Sequence, residues 1–152
     1  MNITTRQRFP RSARIRTSAQ YQAVFSEGSR VSGAFFRLHL AQGEAFSQPR
    51  LGIAVSKKVD KSAVARNRIK RVCREHFRQH RHSYRAAEYV IIAKPDAAKA
   101  LAVNWRADLE KLFTRAQSLL SNAAIGTMHG SPENGAAISR DLQGIIKTVV
   151  SG

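Results

Sequence analysis

The sequence predicts an α/β domain whose sheet carries one strongly basic helix. Three observations predict it. A capping box followed by an aromatic stripe opens a helix near residue 17. Strict alternation over residues 35–41, with apolar runs at 51–56 and 89–93, marks strands. Residues 57–81, between two of those strands, read as an amphipathic basic helix. Helical and strand periods thus alternate along a chain of 152 residues, a length that suits one domain with its own core.

Residues 1–16 hold five arginines and no acid, interrupted by Phe9 and Pro10. They are expected as an extended basic arm, with a frayed solubilising tail as the alternative. Thr17 at the N-cap and Gln20 at the third helical position complete the capping box, and Gly28 offers the stop. Tyr21, Val24 and Phe25 fall on one side of this helix, an arrangement whose default reading is core packing.

Arg30, Val31 and Ser32 suit a short edge strand before Gly33. In the next strand Phe36, Leu38 and Leu40 alternate with Phe35, Arg37 and His39, so one face is core and the other wet. Residues 43–49 form a polar turn, and the strand at 51–56 feeds the basic helix. The run at 89–93, ended by Lys94 and Pro95, reads as a central strand. Asn104 is expected to cap a last helix in which Trp105, Leu109, Leu112, Phe113, Ala116, Leu119 and Leu120 repeat at helical spacing. Beyond residue 121 the net charge is zero and Gly, Ser, Asn and Ala dominate. The expected organisation is an arm at 1–16, a domain at 17–121 and a largely disordered tail at 122–152, with a weak helix near 138–150.

Charge narrows the function. Lys and Arg number 26 against 10 acids, for a formal +16 and a pI near 11.4, which favours a polyanionic partner. Residues 57–81 contain ten of those cations and two acids. Wound as a helix, they place Ala65, Ile69, Val72, Cys73, His76 and Phe77 in one arc and Arg66, Asn67, Arg68, Lys70, Arg71 and Arg74 in another. Arginine forks match phosphate oxygens, so a rigid cationic face of this kind suits nucleic acid. No apolar run is long enough to span a bilayer, and no apolar segment follows the N-terminal arginines, so a cytoplasmic protein without a membrane partner is expected. The single cysteine, Cys73, agrees with a reducing compartment. Cys73, His76 and His80 have a metal-like spacing, but the fourth ligand is missing and they lie on the packing face. The acids form no catalytic pair and no metal motif, which argues against a protein active site.

Lys57, Lys58 and Val59, then the run from 63 to 71 with Arg66, Asn67, Arg68, Ile69, Lys70 and Arg71, resemble the Arg-Asn-Arg signature of the bacterial ribonuclease P protein subunit. The resemblance extends over residues 9–120. It implies a two-layer αβββαβα sandwich of a four-stranded sheet and three helices, with the fold of the second domain of ribosomal protein S5. It also implies a left-handed βαβ crossover, where general sterics favour the right-handed form. By the same resemblance the protein assists a ribonuclease P RNA subunit that removes the 5′ leader of precursor tRNA. RNA carries out the hydrolysis, with Mg²⁺ held mainly through RNA, and the protein alone is not catalytic. The implied RNA-binding residues are Lys57, Lys58, Arg66, Asn67, Arg68, Lys70, Arg71 and Arg74. The implied leader-binding residues are Tyr21, Phe25, Phe36 and His39, the last an imidazole where the family often has another ring. The implied partners are the RNA subunit and precursor tRNA, with no obligate protein partner. A generic RNA-binding protein of ribosomal type is the alternative.

Overall fold

In the computed structural model, residues 11–42 and 48–125 are described. The order is α1 (Ser18–Glu27), β1 (Ser29–Ser32), β2 (Phe36–Ala41), β3 (Arg50–Ala54), α2 (Ala63–His80), β4 (Glu88–Ala93) and α3 (Ala102–Ile125), with short 3₁₀ turns at Arg11–Ala13, Arg81–Ser83 and Pro95–Lys99. This is the expected αβββαβα succession. The four strands form one sheet in the order β1-β2-β4-β3. β3 runs parallel to β4, so α2 is the crossover between neighbouring strands, and the other pairs are antiparallel.

The register divides the sheet into two unequal faces. Phe36, Leu38 and Leu40 join Leu51, Ile53, Tyr89 and Ile91 on the face packed by Ile69, Cys73 and Phe77 of α2 and by Leu109, Leu112 and Phe113 of α3. Ala54, Val90 and Ile92 point the other way, where Ile15, Tyr21 and Val24 cover them in a smaller cluster. The larger cluster makes the core, and the smaller one packs α1 and the segment before it against the opposite face.

Local chemistry explains where α1 begins and ends. Thr17 Oγ1 accepts the Gln20 N–H at 3.2 Å, while Gln20 Oε1 accepts the N–H groups of Thr17 and Arg16 at 3.2 and 2.9 Å. Gly28 ends the helix in extended backbone, with φ −93°, so left-handed freedom is not the reason for glycine. A Cβ there would lie 2.3 Å from the Leu40 carbonyl oxygen, and this close approach to β2 is what requires glycine.

Several expectations are corrected. The last helix starts at Ala102, not after Asn104, which already donates its N–H to the Leu101 carbonyl at 2.9 Å. The start is fixed instead by Trp105, whose buried indole N–H donates to the Ala97 carbonyl at 2.8 Å. Leu119 is 40% exposed and lies outside the core stripe. The basic arm joins the fold by residue 11: Ala13 and Ile15 are buried, Arg14 bridges to Leu51, and the Ile15 N–H donates to the Leu51 carbonyl at 2.9 Å. Phe9, most of the polar turn and the weak helix near 138–150 lie outside the described residues.

Buried Asp108 ties α3 to the β1–β2 turn. Its carboxylate accepts the backbone N–H groups of Ala34, Phe35 and Phe36 at 3.0, 3.0 and 3.1 Å. Three charge-assisted bonds thereby satisfy donors that the turn leaves without strand partners.

Candidate nucleic-acid interface

The basic helix rises from a loop that its own sequence organises. Val59 is buried and anchors the loop, leaving Lys57 and Lys58 exposed. Asp60 Oδ1 accepts the Ser62 N–H at 2.9 Å, and Ser62 Oγ caps α2 by accepting the Ala65 N–H at 3.3 Å. Arg66 Nη1 donates to the carbonyls of Asp60 and Lys61 at 2.9 and 2.8 Å. Arg66 therefore builds the loop as well as contributing charge.

On α2, Ile69, Cys73, His76 and Phe77 are buried, as the helical spacing requires. Asn67, Arg68, Arg71 and Arg74 are exposed, and Arg66 and Lys70 half-buried. Arg66, Lys70 and Arg74 succeed one another every four residues and form one stripe. Burial, then the charges of Arg74 and Arg66, hold the Lys70 ammonium below its ordinary pKa. An anion placed on this stripe would relieve that mutual repulsion. The single acid of α2, Glu75, forms a bidentate pair with Arg78.

The rings divide between the two sheet faces. Tyr21 is 2% exposed and lies flat against β3: a Cβ on Gly52 would stand 2.7 Å from its ring. Its hydroxyl bonds to the Ile53 backbone, and burial pushes its pKa up to about 12. Phe25 is half-buried beside it and meets His39 edge to face, with centroids 4.9 Å apart. Phe36 is not part of this group. It has no exposed surface and sits in the α2/α3 core, because it lies three residues from His39 on an alternating strand and must face the other way.

His39 is 3% exposed, with its pKa lowered to about 4 by burial first and then by the charges of Arg37 and Arg30. Neither its Nε2 nor the Arg37 Nε has a hydrogen-bond partner among the described residues. Arg30 faces His39 across β1–β2, and Arg37 faces Ile92 across β2–β4, so both cations share the sheet face that α1 packs on. Lys94 Nζ, held by Ser32 Oγ at 2.7 Å and the Gly33 carbonyl at 2.5 Å, stands at its end. Sequence reading missed these three cations, although the alternation that placed His39 also places Arg37.

Cys73 is fully buried, and burial pushes its thiol pKa up. His76 Nε2 lies 3.0 Å from the Tyr84 hydroxyl, while His80 Nδ1 bonds to the His76 carbonyl at 2.8 Å. Four carboxylates are likewise engaged: Asp108 on the turn, Asp60 on its loop, Glu75 on Arg78 and Glu88 beside Arg50 at 3.9 Å. Among the described residues no three His, Cys, Asp or Glu side chains come together as a group that could hold a metal ion.

The geometry agrees with what the chain is similar to. A model of the family described as Ribonuclease P matches residues 9–117. The "Ribonuclease P protein component" of Xanthomonas campestris pv. campestris is 49% identical over 121 residues, covering 80% of this chain and 80% of that protein. The protein of the same description from Aliivibrio salmonicida is 40% identical over 107 residues, covering 70% and 91%. Among solved structures, the Staphylococcus aureus RNase P protein superposes with a TM-score of 0.67 at 31% identity, covering 69% of this chain and 95% of that one. With a family match over most of the domain and the same fold in its relatives, the chain belongs to the ribonuclease P protein family.

Proposed function

We propose that this protein, as a subunit of ribonuclease P acting in tRNA 5′ maturation, binds the catalytic RNA through α2 and its preceding loop and holds the 5′ leader of precursor tRNA in the cleft beside α1. The observation that carries this reading is that β3 joins the two surfaces: Tyr21 lies on Gly52 and bonds to the Ile53 backbone, and the same strand leads into the lysine loop and α2. One RNA complex can therefore engage both.

In this reading Lys57, Lys58, Arg68, Lys70, Arg71 and Arg74 neutralise phosphates, Asn67 adds a neutral donor and acceptor, and Arg66 also fixes the loop. Phe25 offers an edge or face to a leader base, with Tyr21 as its support and neutral His39 as a further polar group. Stacking tolerates leaders of varied sequence because every base has a π-face. Phosphodiester hydrolysis belongs to the RNA, with Mg²⁺ bound through RNA, and the protein aligns and neutralises. No helix among the described residues is long and apolar enough to cross a membrane.

The test is cleavage of a precursor tRNA at low Mg²⁺ by a bacterial ribonuclease P RNA, with and without the protein, beside a protein-only control. Rescue of the RNA by an otherwise inert protein is the expected result. Tight RNA binding without rescue would reduce the protein to a generic RNA-binding module.

A further inference from the structure

A second basic site lies on the other flank of α1. Phe25 and His39 occupy one side of that helix; Gln20 lies on the other, above a pocket of about 390 Å³ that is also lined by Arg11, Arg14, Arg16 and Arg50. These arginines come from two parts of the chain: the segment 11–16, bridged to Leu51, and the start of β3. Buried Ala13 and Ile15 hold the segment down, and the Ile15 N–H to Leu51 bond fixes its register. The convergence is therefore built into the fold, not left to a loose arm.

We propose that this pocket binds a backbone phosphate of RNA, as a contact separate from the α2 stripe and the leader cleft. The polar groups around it are donors. Gln20 Oε1 already accepts two backbone N–H groups, which leaves its NH₂ for the pocket. Thr17 Oγ1 accepts the Gln20 N–H, which leaves its hydroxyl proton to donate. Neither a carboxylate nor an aromatic ring lines the pocket among the described residues. Glu88 is 3.9 Å from one Arg50 nitrogen. Converging guanidinium forks call for an oxyanion with several acceptors. The lack of a ring to stack a base favours a phosphate within a strand over a free nucleotide.

Geometry also joins the pocket to α2. Arg81, next after that helix, donates through Nη2 to Gln48 Oε1 at 3.1 Å, and Gln48 Nε2 donates to the Ser12 carbonyl at 3.4 Å at the pocket rim. One RNA strand can follow this line from the C-terminal end of α2 to the pocket.

The proposal rests on RNA binding by this chain and is tested on the full chain with Arg14→Gln and Arg16→Gln combined. Arg14 and Arg16 are both exposed, so the fold should persist, as circular dichroism and the melting temperature will report. A Lys pair at the same positions serves as a charge-preserving second variant. Affinity for ribonuclease P RNA is measured against salt, alongside an Arg68→Gln, Arg71→Gln variant of α2. Loss of this one phosphate contact should lower the salt slope by about 0.7–0.9 and the affinity at moderate salt by several-fold, with the Lys pair intermediate. If the α2 variant loses affinity while the pocket variant does not, the pocket proposal falls and the RNA-binding reading stands; if neither loses, both fall. Inorganic phosphate is titrated in parallel through its effect on the melting temperature; if the pocket variant loses only that response, the site takes free anion and the assignment to RNA is overturned.

Discussion

Two buried histidines make stability depend on pH in a range where few other groups titrate. His39 and His76 are 3% and 8% exposed, and the pKa of each is lowered from 6.5 to about 4, by burial first and then by Arg37 and Arg30 for His39 and by His80 for His76. The unfolded chain binds protons near pH 6.5 that the folded chain refuses until near pH 4. Stability from this source is therefore fully present above pH 6.5 and is lost as the pH falls towards 4. At pH 5, unfolded and folded values of 6.5 and 4 give a loss of about 2 kcal/mol per histidine relative to pH 8, or about 4 kcal/mol for the pair. Glu88 opposes this, because burial raises its pKa and its folded form takes up a proton first as the pH falls. The assay is urea denaturation at intervals from pH 8 to 5, on the native sequence and on His39→Gln and His76→Gln. Each variant should flatten the profile by about 2 kcal/mol, whatever its stability at pH 8. A native profile that loses less than 1 kcal/mol by pH 5, or variants with undiminished pH dependence, would show that the imidazoles are not held neutral by burial.

Three further outcomes are expected. Asp108→Ala leaves three backbone N–H groups of the β1–β2 turn without their acceptor and should cost about 2–4 kcal/mol by urea denaturation, whereas an effect under 1 kcal/mol would mean water replaces the carboxylate. Phe36→Ala should cost about 3–5 kcal/mol of stability and spare discrimination between leader-bearing precursor and mature tRNA; Phe25→Ala should cost little stability and weaken that discrimination by about 1 kcal/mol or more, and a reversal of this pattern would undo the assignment of faces. Gly52→Ala should push the Tyr21 ring off β3 and impair precursor binding while leaving affinity for the RNA subunit near that of the native protein, with equal losses in both counting against a distinct cleft.

The sequence alone determined the features that are local or periodic. Thr17 and Gln20 sit within one helical turn, so their capping box needs nothing from the rest of the chain. The two faces of α2 follow from a 3.6-residue period, and the Arg-Asn-Arg run with its lysine loop follows from residue order. The opposition of Phe36 to His39 was also present in the two-residue period of the strand; only the family resemblance placed both rings on the leader.

Tertiary structure decided what depends on residues distant in sequence. No local pattern directs Asp108 to the N–H groups of a turn more than seventy positions away, or shows that Gly52 is small because Tyr21 must lie on it. The pairing of Arg30 with His39 requires the register of β1 on β2, and the convergence of Arg11, Arg14 and Arg16 with Arg50 requires the N-terminal segment to dock on β3. Local periodicity fixes which face a side chain occupies on its own element. Which side chains then share a surface, and how far burial shifts their protonation, is fixed only when those elements pack.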